Sequence, residues 1–258
     1  MKQIIIYSPL EQFQVFPILS FYLLGYDFSI TNETVILVLV LLLTLVFFMS
    51  LFQKSGDNTL DLIPKRRQSI LEIIYTAMLS LVVDNIKDKN SQKFFPLVFS
   101  LFLFILSLNL MGLIPYSFTL TSHLIVTFFI SLSIFIGINI ICARLHGIRM
   151  FALFLPSGTS VLLAFLLVPI ELISYIFKPV SLSIRLFANM MAGHTLLKVI
   201  AGFAYVLMGN GGLLFLIQYV PLLILIPLFG LELGVALIQS FVFSILICIY
   251  LNDSINLH

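Results

Sequence analysis

Five charged residues stand inside the last long apolar block of this 258-residue chain: Glu171, Lys178, Arg185, Lys198 and Glu232. An arginine at the centre of a bilayer costs about 2.5–3.5 kcal/mol on insertion scales, so each such charge needs a partner or a purpose. Glu171, Lys178 and Arg185 are spaced by seven, which turns a helix by only about 20° per step and makes one stripe. Ser181 and Asn189 flank Arg185 at i−4 and i+4 on that stripe. His194 falls on the opposite face with Lys198 at i+4, while Glu232 and Gln239 are again seven apart and share a face of a later segment. Carboxylates and imidazole exchange protons near neutral pH when burial and neighbours tune them. A guanidinium does not, because its pKa stays above about 12. A fixed positive charge among exchangeable groups is therefore a barrier that makes a passing acid release its proton. At about 4 Å and an effective dielectric of about 20 it favours the ionised acid by about 4 kcal/mol, roughly a thousandfold. The chemistry these residue types support is proton translocation.

A purely structural alternative pairs Arg185 with Glu232 as a buried ion pair that fixes helix packing, with Lys178 and Glu171 snorkelling to a surface and Lys198 structural. The pair itself does not explain why Glu171, Lys178, His194 and Lys198 are also inside. His123 and His146 fall at the ends of apolar runs, where solvated histidines are ordinary.

The rest of the chain must hold that block in place. Apolar residues make up 61% and charged ones 9%, with a mean hydropathy of +1.18. A soluble domain carries about 25% charged residues. Too few charges remain to cover a globule, so the chain is an integral membrane protein. Its long unbroken apolar runs are the helical signal and exclude a β-barrel, whose spans alternate in polarity. A net charge of +2 gives no basic field for nucleic acid. Cys142 and Cys248 lie alone in separate apolar runs, which implies neither a disulfide framework nor a zinc motif. The chain has no Gly-x-x-x-x-Gly-Lys-[Ser/Thr] loop, so any nucleotide chemistry belongs to partners and the chain itself is not expected to be an enzyme.

The expected fold is an all-α membrane protein with about five membrane-embedded helices and one interfacial amphipathic helix. Residues 1–34 form an exterior N-terminal segment without the features of a signal or transit peptide. Residues 35–53 are the first transmembrane helix. Residues 54–93 are a basic inner-side loop in which Ser69–Ile86 places Ile70, Ile73, Ile74, Ala77 and Leu81 on one stripe of a helix lying on the membrane. Residues 94–150 hold two more spans, Phe94–Leu113 and His123–Cys142, and a loop with Arg144, His146 and Arg149. The positive-inside rule puts both basic loops on the inner side and the N-terminus and the 115–122 loop outside. Residues 151–258 form a long helical hairpin. Val161–Met208 is roughly 72 Å as a single helix, either two spans turning near Lys178-Pro179 or one strongly tilted helix. Gly209-Asn210-Gly211-Gly212 is a turn, and Leu213–Leu251 is the second overlong helix. Folding back about that turn sets Arg185 opposite Ala236 and Asn189 opposite Glu232, with Gln239 about one turn from Arg185.

The run Ser181-Leu182-Ser183-Ile184-Arg185-Leu186-Phe187-Ala188-Asn189-Met190-Met191-Ala192-Gly193-His194 resembles the signature of subunit a (subunit 6) of the F-type ATP synthase. Gly230-Leu231-Glu232-Leu233-Gly234-Val235-Ala236-Leu237-Ile238-Gln239 is similar to the last helix of that family. Asn109-Leu110-Met111-Gly112-Leu113-Ile114-Pro115 and Tyr250-Leu251-Asn252-Asp253 also match, so the resemblance covers residues 35–258. The opening Ser8-Pro9-Leu10-Glu11-Gln12-Phe13 resembles mitochondrial members, as does the combination of His194 with Glu232, which is exchanged relative to the common bacterial pattern. Gly112 stands where some bacterial members carry an acid, so no role transfers there.

The resemblance implies a stator subunit beside a rotating ring of c subunits, with two half-channels that load and unload a c-ring carboxylate. Arg185 matches the arginine that separates them. Asn189, His194, Glu232 and Gln239 match polar positions on the exterior inlet, Glu171 one on the inner outlet, and Ser181 a channel-lining position. It further implies no cofactor, contacts with other membrane-sector and peripheral-stalk subunits, a tilted hairpin wrapping the ring, and residence in the mitochondrial inner membrane, with a bacterial plasma membrane as the alternative. The competing function is a proton-coupled transporter or a membrane subunit of a respiratory complex. A transporter would be supported by inverted repeats, and the sequence shows no self-similar halves.

Overall fold

The computed structural model describes residues 10–23, 26–52, 66–86, 91–114, 117–147, 150, 161–209 and 217–255. Six α-helices form among them: α1 Asn32–Phe52, α2 Arg66–Asn85, α3 Phe95–Gly112, α4 Leu124–His146, α5 Val161–Gly209 and α6 Tyr219–Ile255. Among the described residues, Ser91–Gly112, Leu124–His146, Phe165–Met208 and Tyr219–Ile255 are long and apolar enough to cross a membrane, and Asn32–Phe47 is a shorter apolar helix. The chain is an all-α membrane protein.

Helix α5 runs without a break through Lys178-Pro179, so the turn allowed for there is not made. Pro169 and Pro179 lie inside it. In water each would cost several kcal/mol, but within a membrane protein neighbouring groups re-satisfy the freed carbonyls, and the alternative of an exposed turn is worse. Its 44-residue apolar portion and the 37 residues of α6 are each about twice the roughly 20 residues of a perpendicular crossing. Such helices stay within the hydrocarbon only by lying oblique to the bilayer normal. The turn from Asn210 and the predicted start of the last helix, Leu213 to Leu216, lie outside the described residues, as do Lys54, Lys65, Lys87, Lys89, Pro115 and Arg149.

The segment before α1 contains a β-hairpin, with β1 (Pro17–Leu19) paired to β4 (Ile30–Thr31) and β2 (Tyr22–Leu23) to β3 (Tyr26–Asp27), all antiparallel. Asn32 ties it to the start of α1: its Oδ1 accepts from Phe16 N–H at 3.2 Å and its Nδ2 donates to the Gln14 carbonyl at 3.2 Å. In α2 the face turned to the protein is Met78, Leu81 and Val82, with Ile86 just beyond its end, while Ile70, Ile73 and Ala77 of the stripe expected to lie on the membrane are exposed. The partner decides the face: Tyr75 meets Phe95 and Phe99 at the start of α3, edge-on at 4.8 and 6.0 Å.

The chain divides into two compact units. One comprises 1–40, 106–127 and 185–239; the other comprises 41–105, 128–184 and 240–258. In the first, Leu113, Met190 and Ala236 form a buried cluster, and the Asn109 side-chain amide donates to the Ala236 carbonyl at 3.4 Å. In the second, α4 continues past Cys142 to His146, whose Nε2 donates to the Ile255 carbonyl at 3.0 Å. His146 is thus engaged, not merely solvated.

Candidate functional site

In the first unit, α5 carries an apolar and a polar flank. Leu186 and Met190, one turn apart, are 0% and 2% exposed. Each is preceded by a polar residue, Arg185 and Asn189, and both of these are exposed. A helix turns about 100° per residue, so the same packing that buries one pair presents the other. Ala188 and Ala192, at i+3 and i+7 from Arg185, are exposed on its face.

The polar stripe of α6 meets α5 twice. Asn189 Nδ2 donates to Gln239 Oε1 at 2.9 Å, and His194 Nδ1 stands 3.4 Å from Glu232 Oε1. Advancing along α5 goes with retreating along α6, so the helices are antiparallel here, as a hairpin requires. Glu232 and Gln239 are each 4% exposed. His194 Nε2, both Glu232 oxygens and Gln239 Nε2 are buried without a hydrogen bond among the described residues; the His194–Glu232 approach is in ion-pair range but not aligned as a hydrogen bond. Burying such groups unsatisfied costs about 1–3 kcal/mol each. Gly193 makes room for the glutamate, since a Cβ there would stand 2.7 Å from Glu232 Oε1, 3.1 Å from Cδ and 3.2 Å from Cγ.

This register differs from the expected one. Asn189 faces Gln239 rather than Glu232, and Glu232 faces His194. The two contacts pair positions farther along the chain than a fold-back at residues 209–212 brings together. The Arg185–Glu232 ion pair is accordingly not formed. Arg185 has no hydrogen-bond or ion-pair partner among the described residues, and the ion pair of Glu232 is with His194.

In the second unit, Lys178 Nζ lies 3.3 Å from Asp253 Oδ2 and over the rings of Tyr250 and Tyr175 at 4.9 and 5.3 Å. The Tyr175 hydroxyl donates to Asn139 Oδ1. Lys178 is therefore neutralised by its surroundings rather than snorkelling alone. Ser181 is exposed and Glu171 is half-buried in the same unit. Among the described residues no three His, Cys, Asp or Glu side chains cluster as a metal site.

Sequence reasoning did not single out Gly193, Asn109, Asp253 or the Tyr175–Asn139 pair. Gly193 and Asn109 stood inside the quoted motifs, where an interior amide and a glycine beside a histidine were the available signals. His123, at the end of an apolar run, has its Nε2 buried.

The sequence profile of the family described as ATP synthase A chain matches residues 34–252. Among similar proteins, the ATP synthase subunit a of Pylaiella littoralis is 55% identical over 97% of this chain and 99% of its own length. Those of Chondrus crispus, at 50% over 98% of both chains, and Marchantia polymorpha, at 49% over 97% and 99%, are similar over the same extent. With the hairpin, the polar seam and a match over nearly the whole length, the chain belongs to the ATP synthase A chain family.

Proposed function

We propose that this membrane-sector subunit carries the two half-channels through which protons reach and leave a carboxylate on a ring of c subunits, coupling proton flow to rotary ATP synthesis. The observation that carries the proposal is the distribution of charge on the hairpin. Glu232 is met by His194 and Lys178 by Asp253, which leaves Glu171, Arg185 and Lys198 unpaired among the described residues, and of these three Arg185 is the exposed one. An unpaired guanidinium in hydrocarbon is costly and is sensible when a partner supplies an acid. Ala188 and Ala192 on its face permit the close helix approach that small residues allow. Arg185 then makes the ring carboxylate discharge on one side before it reloads on the other, and blocks direct passage between the half-channels.

Asn189, His194, Glu232 and Gln239 form the outer inlet. His194 and Glu232 can share one proton and pass it inward, while the Asn189–Gln239 hydrogen bond orients the approach to the ring. Glu171 belongs to the inner outlet and Ser181 to its lining. The basic loops face the inner side, α2 lies along that surface, and the membrane is the mitochondrial inner membrane. Other membrane-sector and peripheral-stalk subunits complete the assembly, and the nucleotide chemistry is theirs.

The test is sidedness. In sealed vesicles holding the assembled complex, Glu232→Gln slows proton uptake from the outer side, and Glu171→Gln slows release to the inner side. Unchanged flux in both variants removes these residues from the path.

A further inference from the structure

The segment before α1 turns its apolar side chains outward. Phe16, Ile18, Leu19, Phe21, Tyr22 and Phe28 are between 52% and 76% exposed. Residues 14–22 are exposed at every position, so the chain itself covers no side of this stretch. In an extended chain the side chains leave in different directions. A single docked protein would cover one of those sides, whereas an apolar medium covers them all. Contiguous apolar surface of this kind marks an interaction site.

The backbone sets a limit on how deep such a ribbon can lie. Each ladder has only two strands, so among the described residues the outer edges keep backbone N–H and C=O groups that hydrocarbon cannot satisfy. The strands are two or three residues long and the first begins at Pro17, which has no N–H. Short edges and proline make a poor template for a further strand. Between residues 10 and 32 the only charges are Glu11 and Asp27, so no basic cluster draws the hairpin to an anionic surface. Apolar contact has to hold it. That contact is continuous with the first helix: Phe28 and Ile30 share an open cleft of about 610 Å³ with Thr34, Val35 and Val38 of α1.

We propose that the hairpin over residues 16–31 is an interfacial anchor whose partner is the lipid bilayer, lying where headgroups meet acyl chains. Only that layer meets both demands. Its acyl side takes the apolar side chains, to a depth of about 5–10 Å, and its headgroups and water meet the open strand edges. Tyr22 and the phenylalanines suit that level. The two hydrogen bonds of Asn32, to Phe16 N–H and the Gln14 carbonyl, tie the anchor to the first turn of α1. The hairpin thereby sets the depth at which α1 enters the membrane.

The test uses the assembled complex in phosphatidylcholine vesicles. Ile18→Cys, Leu19→Cys and Phe28→Cys, all at exposed positions, each carry a fluorophore. The parent complex, treated with the same reagent, sets the background, its own Cys142 and Cys248 being buried. Three separate positions keep the test decisive if one substitution prevents folding. At each position the emission is expected to lose most to a lipid nitroxide near the top of the acyl chain. It loses less to a nitroxide near the chain end, and least to iodide in the water. Strongest loss to iodide would put the hairpin in water, and strongest loss to the deep nitroxide would put it in hydrocarbon. A label that no quencher reaches would mean that a protein covers that side. Any of these three results overturns the proposal.

Discussion

Adding one methyl group at Gly193 is the sharpest perturbation of the His194–Glu232 seam. The added Cβ would meet Glu232 Oε1 at 2.7 Å, where ordinary contact begins at 3.4 Å, and Cδ and Cγ at 3.1 and 3.2 Å. A tip clash alone would be relieved by a small rotation of the carboxylate. Here three successive atoms are crowded, and Glu232 is only 4% exposed, so the whole side chain must swing within a packed space. Overpacking of this kind costs about 1–3 kcal/mol. Glu232 escapes that strain by leaving His194, so the population holding the 3.4 Å approach falls by about ten- to a hundredfold, at about 1.4 kcal/mol per factor of ten. Proton flux is expected to fall by the same order. The assay is ATP-driven acidification of vesicles reconstituted with equal amounts of assembled complex, with assembly checked by native electrophoresis. Gly193→Ala combined with Glu232→Asp, one methylene shorter, recovers part of the loss. Parent-rate acidification by Gly193→Ala alone would refute the claim that this approach carries the proton.

The cation site in the second unit makes a contrasting prediction, about stability rather than flux. Lys178→Met forfeits the Asp253 ion pair and both tyrosine faces, with about 0.5–1 kcal/mol for each ring, and lowers the thermal midpoint of the purified complex. Asp253→Asn keeps the rings and forfeits only a pair whose side chains are 22% and 37% exposed, so its effect is the smaller, under about 1 kcal/mol; an equal or larger loss from Asp253→Asn would show that the rings do not hold the lysine.

Much of this was legible in the sequence because helical periodicity is a local property. The seven-residue spacing of Glu232 and Gln239 is seen in the structure as one buried face of α6 that meets α5. Which residue of one helix meets which of the other was not legible. That depends on where the chain folds back, which helical periodicity does not encode. Which face of α2 meets the protein was likewise not legible, since Tyr75 with Phe95 and Phe99 sets it. Proline beside Lys178 signals a break in an aqueous helix but not in a membrane one. The burial of Thr119, Thr121 and Ser122 had no signal in composition at all, because hydroxyl-rich turns are ordinarily surface turns.

The central claim is that Arg185 faces a partner's acid and not an acid of its own chain. The direct measurement is ATP-driven acidification by the Arg185→Ala complex, normalised to the amount assembled. With no partner for Arg185 among the described residues, the complex is expected to assemble at the parent level and to pump no protons. Normal pumping by that variant would contradict the mechanism, and failure to assemble would restore Arg185 to a structural ion pair.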